Sequence, residues 1–412
     1  MDKNHPDRAS LPHWHAAQHI RSAAPDELAT ALVASRQRTL QLAQAYHAHL
    51  GDAMQVPQRP ELNPPLWELG HVGWFQDWWL ARNRQRHRGH LAEPGHIRQP
   101  PRRADADALY DSGRIAHHRR WMLSLPDRAR TLEELQTGLA ETLRLLRDAG
   151  DSDTALYFYR LVLLHEDMHS EAAIYMAQSL GIPIPEHLLT RVPRTPVATQ
   201  LRFAPGLWTL GSTGVGFAFD NELGAHTVAL GDTTIDSHPV SWARYLAFVE
   251  DGGYARQDSW SDAGWNWRQA VAADHPAVLR KRDGHWEQQR YGRWQPCALR
   301  SDAVHLSWFE AQAWCHWAKR RLPSEAEWER AAAGHCGFYW GSVWEWTDST
   351  FAPYPGFAPH PYVDYSAPWF GGRKVLRGAS EATEPRIRHP RYRNFFDASR
   401  FDIHSGFRSC AL

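Results

Sequence analysis

The sequence predicts an α-helical bundle followed by an irregular α+β domain. Apolar residues recur at helical spacing through the first half, a proline-punctuated segment then interrupts the chain, and short aromatic-rich segments broken by Gly, Pro and Asp follow it. With 412 residues, the chain is also too long for one ordinary hydrophobic core. We therefore expect a helical domain at 1–185, a linker at 186–200 and a second domain at 201–412.

Helical periodicity and end signals place each helix of the first half. Asn63 precedes two prolines and is a plausible N-cap, while Thr131 begins a Thr-x-x-Glu capping-box pattern. Gly181 and Pro183 end the last apolar run. The four predicted helices span 25–50, 63–82, 131–150 and 151–180, with one long connection. Such helices form a bundle, and bundle cores commonly build metal sites from inward-facing side chains.

The second half has a different pattern of residues. Two helices are predicted there, Trp242 to Glu250 and Trp308 to Lys319. The remaining segments are short, loop-rich and studded with aromatic residues, as in the 264–267 stretch GWNW. This pattern favours an irregular α+β domain over a sandwich of regular strands.

Composition excludes several classes of protein. The chain has 46 Lys and Arg residues together and 46 Asp and Glu residues together. It therefore has no net positive charge that would attract nucleic acid or an anionic membrane. The cysteines form no C-x-x-C pair, which argues against a disulfide framework or a structural zinc site. They are Cys297, Cys315, Cys336 and Cys410. With no apolar segment long enough to span a bilayer, we expect a soluble, cytoplasmic protein.

A pair of histidines is the strongest chemical signal. His165 and His169 lie four residues apart in an apolar helical stretch, so their imidazoles share one face and can grip one metal ion. His71, in the second predicted helix, is a third candidate ligand. The opposing interpretation is that these are core histidines, because a chain with 25 His contains such a pair by chance fairly often.

Four motifs of the second half resemble a known domain. They are 321–329 (RLPSEAEWE), 341–347 (GSVWEWT), 375–380 (VLRGAS) and 406–408 (GFR). They resemble the formylglycine-generating-enzyme (sulfatase-modifying factor) domain, which is a C-type-lectin-like fold, and the first half resembles a DinB-like four-helix bundle. Together the halves resemble the ergothioneine-type sulfoxide synthases. The strings 63–71 (NPPLWELGH) and 165–171 (HEDMHSE) look closer to the branch that makes selenoneine.

The resemblance implies a cofactor and substrates. His71, His165 and His169 would hold Fe(II), with molecular oxygen as co-substrate and hercynine as the acceptor. Met168 stands where the sulfur enzymes often carry Gln, and Phe396 stands where some carry an acid for a cysteine-containing donor. These departures favour a selenosugar as the donor. The alternatives are a sulfoxide synthase that uses cysteine or γ-glutamyl-cysteine, a DinB-type metal-dependent thiol transferase, and a non-enzymatic lectin-like module.

The resemblance also implies site residues in the second half. Tyr362 and Tyr365 are candidate proton donors, although both would also suit ordinary loop packing. The trimethylammonium group of hercynine requires aromatic ring faces, because it cannot donate a hydrogen bond. The implied substrate-binding set is Met168, Arg393, Asn394, Phe395, Phe396 and Arg400.

Several polar and aromatic residues have competing interpretations. Glu166 and Glu171 flank the histidine pair, and each either orients a ligand or braces the bundle. A further set is expected to be structural: Glu325, Glu327, Trp328, Trp344 and Trp346.

Overall fold

The computed structural model describes residues 14–190, 197–334 and 337–412, so part of the predicted linker and Cys336 lie outside the described residues. The first half is helical. Its helices are α1 (His15–Ile20), α2 (Pro25–Leu50), α3 (Pro65–Trp79), α4 (Ala106–Tyr110), α5 (Arg128–Arg147) and α6 (Asp153–Leu180). The long helices α2, α3, α5 and α6 confirm the four predicted ones, and α4 lies in the long connection between α3 and α5.

Two predicted helix starts are wrong in detail. Asn63 does not cap α3, because the helix begins at Pro65 after an extended Pro64 and has no side-chain cap. Helix α5 begins three residues before Thr131, because the Asp127 carboxylate accepts a hydrogen bond from the backbone N–H of Arg130. The predicted end of α6 is confirmed, since Gly181 adopts the left-handed conformation, with φ 71°, that closes a helix.

Helix α6 packs against both α2 and α3, and its buried face carries charge. Glu166 pairs with Arg36 of α2 across 2.7 Å, with both side chains almost fully buried. Thr39, one turn further along α2, donates a second hydrogen bond to the same carboxylate at 2.8 Å. Glu166 therefore braces the bundle, which is one of the two roles that the sequence left open for it.

The second half is a mixed α and β structure built from small sheets. Its strands are β1 (Gln200–Phe203), β2 (Gly206–Leu210), β3 (His226–Leu230), β4 (Thr233–Asp236), β5 (Leu279–Arg282), β6 (His285–Arg290), β7 (Arg293–Pro296), β8 (Trp344–Thr350), β9 (Lys374–Gly378), β10 (Asn394–Phe396) and β11 (Ser405–Gly406). The largest sheet of the described residues has the order β10-β9-β8-β11, in which only the β8–β11 pair is parallel. This irregular architecture confirms an α-and-β second half.

Four helices occur among the described residues of the second half: α7 (Trp242–Glu250), α8 (Asp262–Ala270), α9 (Trp308–Trp317) and α10 (Glu325–Gly334). Helix α7 matches its predicted range, and α9 ends two residues before the predicted Lys319. Helices α8 and α10 are additional to the predicted ones. The signal for α10 was present in the sequence, because Ser324 and Glu327 form a reciprocal capping box.

The two halves share one hydrophobic core and several buried polar contacts. Arg21 of the helical half pairs with Glu222 of the second half across 2.6 Å, and both side chains are buried. Asp167 of α6 pairs with Arg386 at 2.8 Å. The Asp167–Arg386 pair fixes α6 against the second half, which positions the face that carries His165 and His169. Among the described helices, none combines the length and apolar content that crossing a bilayer requires.

Candidate metal centre and adjoining cavity

Helices α3 and α6 bring the three predicted histidines together. Their ligand nitrogens all lie within 4.8 Å of one another, and the Nε2 atoms of His165 and His169 are 3.2 Å apart. The imidazole of His71 reaches this point from α3, with ring centroids 5.2 Å from His165 and 5.0 Å from His169. The one-turn spacing on α6 and the packing of α3 against α6 therefore converge three imidazoles on one point.

In two of the three rings, a hydrogen bond at Nδ1 fixes which nitrogen faces the point where the histidines converge. The Nδ1–H of His71 donates to the backbone carbonyl of Tyr110 at 2.9 Å, and the Nδ1–H of His169 donates to the Glu68 carboxylate. In both rings Nε2 is then the lone-pair nitrogen, which is the arrangement that orients histidine ligands in metal sites. Tyr110 comes this close because Gly70 has no side chain, since a Cβ there would lie 2.2 Å from the Tyr110 ring.

His165 is held by packing instead. Its ring stacks on Phe75 of α3 with centroids 3.5 Å apart and planes within 4°. The Phe75 ring is almost fully buried and also meets Tyr362 edge-on at 5.0 Å. The orientation of the third imidazole is therefore set by an aromatic contact between the two helices.

Electrostatics keep the site in a form that can bind a metal. Burial, together with the neighbouring His169 ring, lowers the pKa of His71 to about 3. Burial also lowers the pKa of His165 well below its ordinary value. Burial opposes ionisation of Glu68, but the interactions with His169 outweigh it and lower the pKa of that carboxyl to about 2. At neutral pH, His71 and His165 are neutral while the carboxylate that orients His169 is charged.

This donor set fits a metal ion of the first transition row. Three imidazole nitrogens suit iron, zinc, copper or nickel, and three protein ligands leave coordination positions for substrates. His71, His165 and His169 would therefore hold the ion, and Glu68 with the Tyr110 carbonyl would orient two of them.

A cavity of about 240 Å³ adjoins the metal site between the two halves. His165 and His169 form part of its wall, so a ligand in the cavity would reach the metal. The other lining residues are Met168, Glu171, Ala172, Tyr175, Trp344, Tyr362, Tyr365, Tyr392, Asn394, Phe396, Ile403 and His404. The wall therefore combines aromatic rings with a carboxylate, an amide and three imidazoles, and such a combination is typical of a small-molecule site.

Both predicted tyrosines line the cavity, and they differ in their partners. The Tyr365 hydroxyl lies 3.2 Å from that of Tyr392 and 3.8 Å from the sulfur of Met168. Tyr392 also donates to the Met168 sulfur at 3.2 Å. In the described part of the chain, the Tyr362 hydroxyl has no hydrogen-bond partner. Burial raises the pKa of both Tyr362 and Tyr365, so both phenols hold their protons at neutral pH.

Strand alternation divides the predicted substrate residues on β10. Asn394 and Phe396 share one face of the strand and line the cavity. Phe395 points to the other face, where its ring stacks on Phe351 with centroids 4.0 Å apart. The structure therefore does not bring Phe395 and Phe396 together as the two rings of one aromatic box.

Neither predicted arginine lines the cavity, although Arg400 lies over the Phe396 ring of its wall, 5.1 Å from the centroid. Arg393 is almost fully buried and forms a bidentate ion pair with Glu325, with distances of 2.9 and 3.0 Å. Its remaining bonds go to the backbone carbonyls of Asn221 and Ala352. Arg400 forms a bidentate pair with Asp402, within 2.6 Å. Both guanidinium groups are engaged within the fold rather than directed at a ligand.

Glu171 is a cavity residue whose role the sequence left open. Three donors converge on its Oε1 atom: the Trp344 indole at 2.6 Å, Ser380 at 2.8 Å and Thr383 at 2.7 Å. Burial raises the pKa of this carboxyl, against those three hydrogen bonds. In the described residues, Oε2 accepts no hydrogen bond. Glu171 thus ties α6 to the second half and leaves one oxygen for a ligand.

Sequence reasoning missed part of the site. Tyr175 and Tyr392 line the cavity, and Trp344, expected to be structural, lines it as well. Tyr175 could have been found, since it lies seven residues after Met168 on the same helix, close to two full turns. Glu68 also carried a signal, because it precedes His71 by three residues on α3.

The sequence of the chain is similar to those of several known enzymes. Residues 185–340 and 334–411 match the family described as "Sulfatase-modifying factor enzyme 1-like domain". A hercynine oxygenase of Mycobacterium tuberculosis is 31% identical over 440 residues, covering 93% of this chain and 98% of that protein. Another, from Mycolicibacterium thermoresistibile, is 31% identical over 444 residues, covering 93% and 94%. A formylglycine-generating enzyme of Streptomyces coelicolor is 30% identical over 245 residues, covering 44% of this chain and 78% of that enzyme.

Proposed function

Because the chain belongs to the hercynine oxygenase family, with a sulfatase-modifying-factor domain, we propose that it is a non-haem iron enzyme of selenoneine biosynthesis. It would use molecular oxygen to form a carbon–selenium bond between a selenosugar and the imidazole of hercynine. The observation that carries the proposal is the convergence of His71, His165 and His169 beside an aromatic cavity.

The histidines would hold Fe(II) through their Nε2 atoms. Bound iron supplies the redox chemistry with oxygen, and it favours the ionised form of a thiol or selenol. The protein's contribution is to keep the ligands neutral, oriented and largely shielded from water. Glu68 and the Tyr110 carbonyl orient two rings, and Phe75 orients the third.

The cavity suits a cationic acceptor. A quaternary ammonium group is recognised by aromatic faces and by opposite charge, because it offers no hydrogen-bond donor. Tyr175, Trp344 and Phe396 supply rings, and Glu171 supplies one carboxylate oxygen that no described residue occupies. The Asn394 amide, on the same wall, is the polar group available to the acceptor's own carboxylate. These features support hercynine as the acceptor.

The charge of the wall favours a sugar over an amino-acid donor. Among the described residues that line the cavity, none is Arg or Lys. Cysteine and γ-glutamyl-cysteine bring further carboxylates, which proteins usually bind with such cations. A selenosugar brings neutral hydroxyls and a soft selenium atom, and the Met168 thioether on the wall is a soft, apolar neighbour for it. This supports the selenosugar ahead of the sulfur donors of a sulfoxide synthase.

Tyr362 is the better placed proton donor of the two tyrosines. Its hydroxyl has no partner in the described part of the chain, whereas Tyr365 is engaged with Tyr392. Burial raises the pKa of Tyr362, so the phenol still carries its proton when the reaction requires a donor. Tyr365 and Tyr392 would then fix the side chain of Met168 and the shape of the wall.

The test is anaerobic reconstitution with Fe(II) and hercynine, with a selenosugar, γ-glutamyl-cysteine or cysteine added in separate reactions. Air is then admitted and products are identified by mass spectrometry. We expect an oxygen-dependent selenium adduct that exceeds any sulfur adduct. The absence of oxygen-dependent product with every donor would overturn the proposal. A parallel reaction with zinc under argon tests the thiol transferase, and product there would favour that alternative.

A further inference from the structure

His71 is the ligand that α3 supplies, whereas His165 and His169 share α6. Two indole rings flank its imidazole, one turn away on either side, because Trp67 lies four residues before it and Trp74 three residues after it. The Trp67 ring stacks on it with centroids 4.9 Å apart and planes within 8°, and the Trp74 ring lies at 5.7 Å and 26°. All three rings of this stripe are buried.

The same stripe of α3 is hydrogen-bonded to the short helix α4. The indole N–H of Trp67 donates to the backbone carbonyl of Leu109 at 2.7 Å. The indole N–H of Trp74 donates to a carboxylate oxygen of Asp107, also at 2.7 Å. Between these two bonds, His71 donates to the backbone carbonyl of the last residue of α4. The position of α4 against α3 therefore determines where the hydrogen-bond acceptor of His71 lies.

Asp107 supplies the one side chain of α4 in this set of three bonds. It also binds Arg82, three residues beyond the end of α3, whose guanidinium donates to both carboxylate oxygens at 2.6 and 2.8 Å. The hydrogen bond from Arg82 lowers the pKa of Asp107, so the carboxylate is charged at neutral pH. Asp107 thus joins α4 both to α3 and to the segment that follows α3.

We propose that Asp107 is a positioning residue for the metal centre. It holds α4 against α3, and the Tyr110 carbonyl of α4 then keeps the Nε2 atom of His71 directed at the ion. Asp107 is neither a ligand nor a residue of the cavity wall, so it acts through α4. A ligand from a separate helix depends on such support, because nothing on its own helix shares the ion with it. The inference rests on the metal site of the proposed function, and it requires neither the substrates nor oxygen.

The test is titration of the metal-free full chain with Co(II) under argon. Co(II) is the probe because it lies beside iron in the first transition row and its visible absorption changes with ligand geometry. Asp107→Ala removes the acceptor, whereas Asp107→Asn keeps an oxygen that accepts from Trp74. Trp74→Phe removes the donor and keeps a ring beside His71, and it serves if Asp107→Ala does not fold. Asp105→Ala is the matched control, since this half-exposed carboxylate pairs with Arg103.

We expect Asp107→Ala and Trp74→Phe to bind Co(II) several-fold more weakly than wild type, with an altered visible spectrum and an unchanged circular dichroism spectrum. The loss should stay below the roughly 10–100-fold of a direct outer partner, because Asp107 acts at one remove. Asp107→Asn and Asp105→Ala should bind as wild type does. Affinity and spectrum in both weakened variants equal to those of Asp105→Ala would overturn the inference, as would an equal loss in Asp107→Asn. Failure of the proposed function differs, because product would then be absent while the Co(II) results stand.

Discussion

Two regions of the molecule build the candidate site, the long helices α3 and α6 and the short strand β10 with the loops around it. On the helices, His71, His165 and His169 project at regular spacing, and each ring is fixed by a buried neighbour. Around β10, cavity side chains come from separate short segments, and adjacent residues face opposite ways. The helices therefore offer a rigid set of ligands, and the loops offer a wall whose shape depends on many small contacts.

The helices and the strand region therefore carry different functions. Changes on α3 and α6 should remove or weaken the metal, because ligand geometry depends on those helices. Changes around β10 should alter substrate binding or turnover while the metal stays bound. A variant on α3 or α6 that keeps its metal, or a variant around β10 that loses it, would contradict this division of roles.

His165→Ala should abolish both metal binding and activity. It removes one of three ligands, so we expect iron affinity to fall by more than the roughly 10–100-fold that loss of an outer partner causes. Iron per chain, measured by elemental analysis, checks this, with circular dichroism to confirm folding. His49→Ala, at an exposed position of α2, is the control and should keep its iron. Full iron content in His165→Ala would contradict the assignment.

Tyr362→Phe should lower kcat while leaving iron content unchanged. General acid groups contribute roughly 10²–10⁴-fold to rate, so we expect a loss of that order with an unaltered KM for hercynine. Tyr365→Phe should lose less, because the Tyr365 hydroxyl is engaged with Tyr392. Steady-state oxygen consumption distinguishes the two. A larger loss in Tyr365→Phe would reverse their roles.

Arg393→Ala should destabilise the fold rather than act on substrate binding. It removes the bidentate partner of the buried Glu325, which then keeps only the Tyr354 hydroxyl and Arg377 at 3.5 Å, so we expect the free energy of unfolding to fall by up to roughly 3–5 kcal/mol. Asn394→Ala, the adjacent residue, should keep stability and raise the KM for hercynine, because Asn394 lines the cavity. Denaturant titration and kinetics check the pair. Wild-type stability in Arg393→Ala would show that the ion pair is not structural.

Glu68→Gln should weaken the metal site without removing it. The change takes away the carboxylate that orients His169, and outer partners of this kind are worth roughly 10–100-fold in metal affinity. Calorimetric titration with Fe(II) under argon measures the effect. Glu133→Gln, on the exposed face of α5, is the matched control and should bind iron as wild type does. Equal affinity in the two variants would remove Glu68 from the ligand-orienting role.

Phe396→Leu should have the smallest effect, a change in the KM for hercynine. One cation–π contact is worth roughly 0.5–2 kcal/mol, so we expect a rise of a few-fold to about 30-fold. Phe395→Leu should leave that KM unchanged and lower stability, because its ring packs on Phe351. An effect of Phe395→Leu on hercynine binding, with none from Phe396→Leu, would mean that the strand faces are assigned the wrong way round.

The metal ligands could be predicted from sequence because helical periodicity is a local property. A spacing of four residues fixes that His165 and His169 share a face whatever surrounds them. The same regularity gave the range of α2 and the end of α6 at Gly181. Helix starts were less accurate, since the choice between Asp127 and Thr131 as cap depends on one side-chain hydrogen bond.

The cavity wall could be predicted only in part, because it depends on long-range packing. Asn394 and Phe396 were found, but strand β10 was not predicted, so the alternation that turns Phe395 away was missed. Nothing local shows that Arg393 meets Glu325, which lies 68 residues earlier in the chain. The contacts of Glu171 could not be predicted either, because its three hydrogen-bond donors come from the other half of the molecule.

The most direct test of the central claim is anomalous diffraction at the iron edge from crystals loaded with Fe(II) under argon. We predict a single strong peak per chain, within coordination distance of the Nε2 atoms of His71, His165 and His169 and open to the aromatic cavity. A peak bound elsewhere, or no peak in protein that has been given iron, would contradict the account.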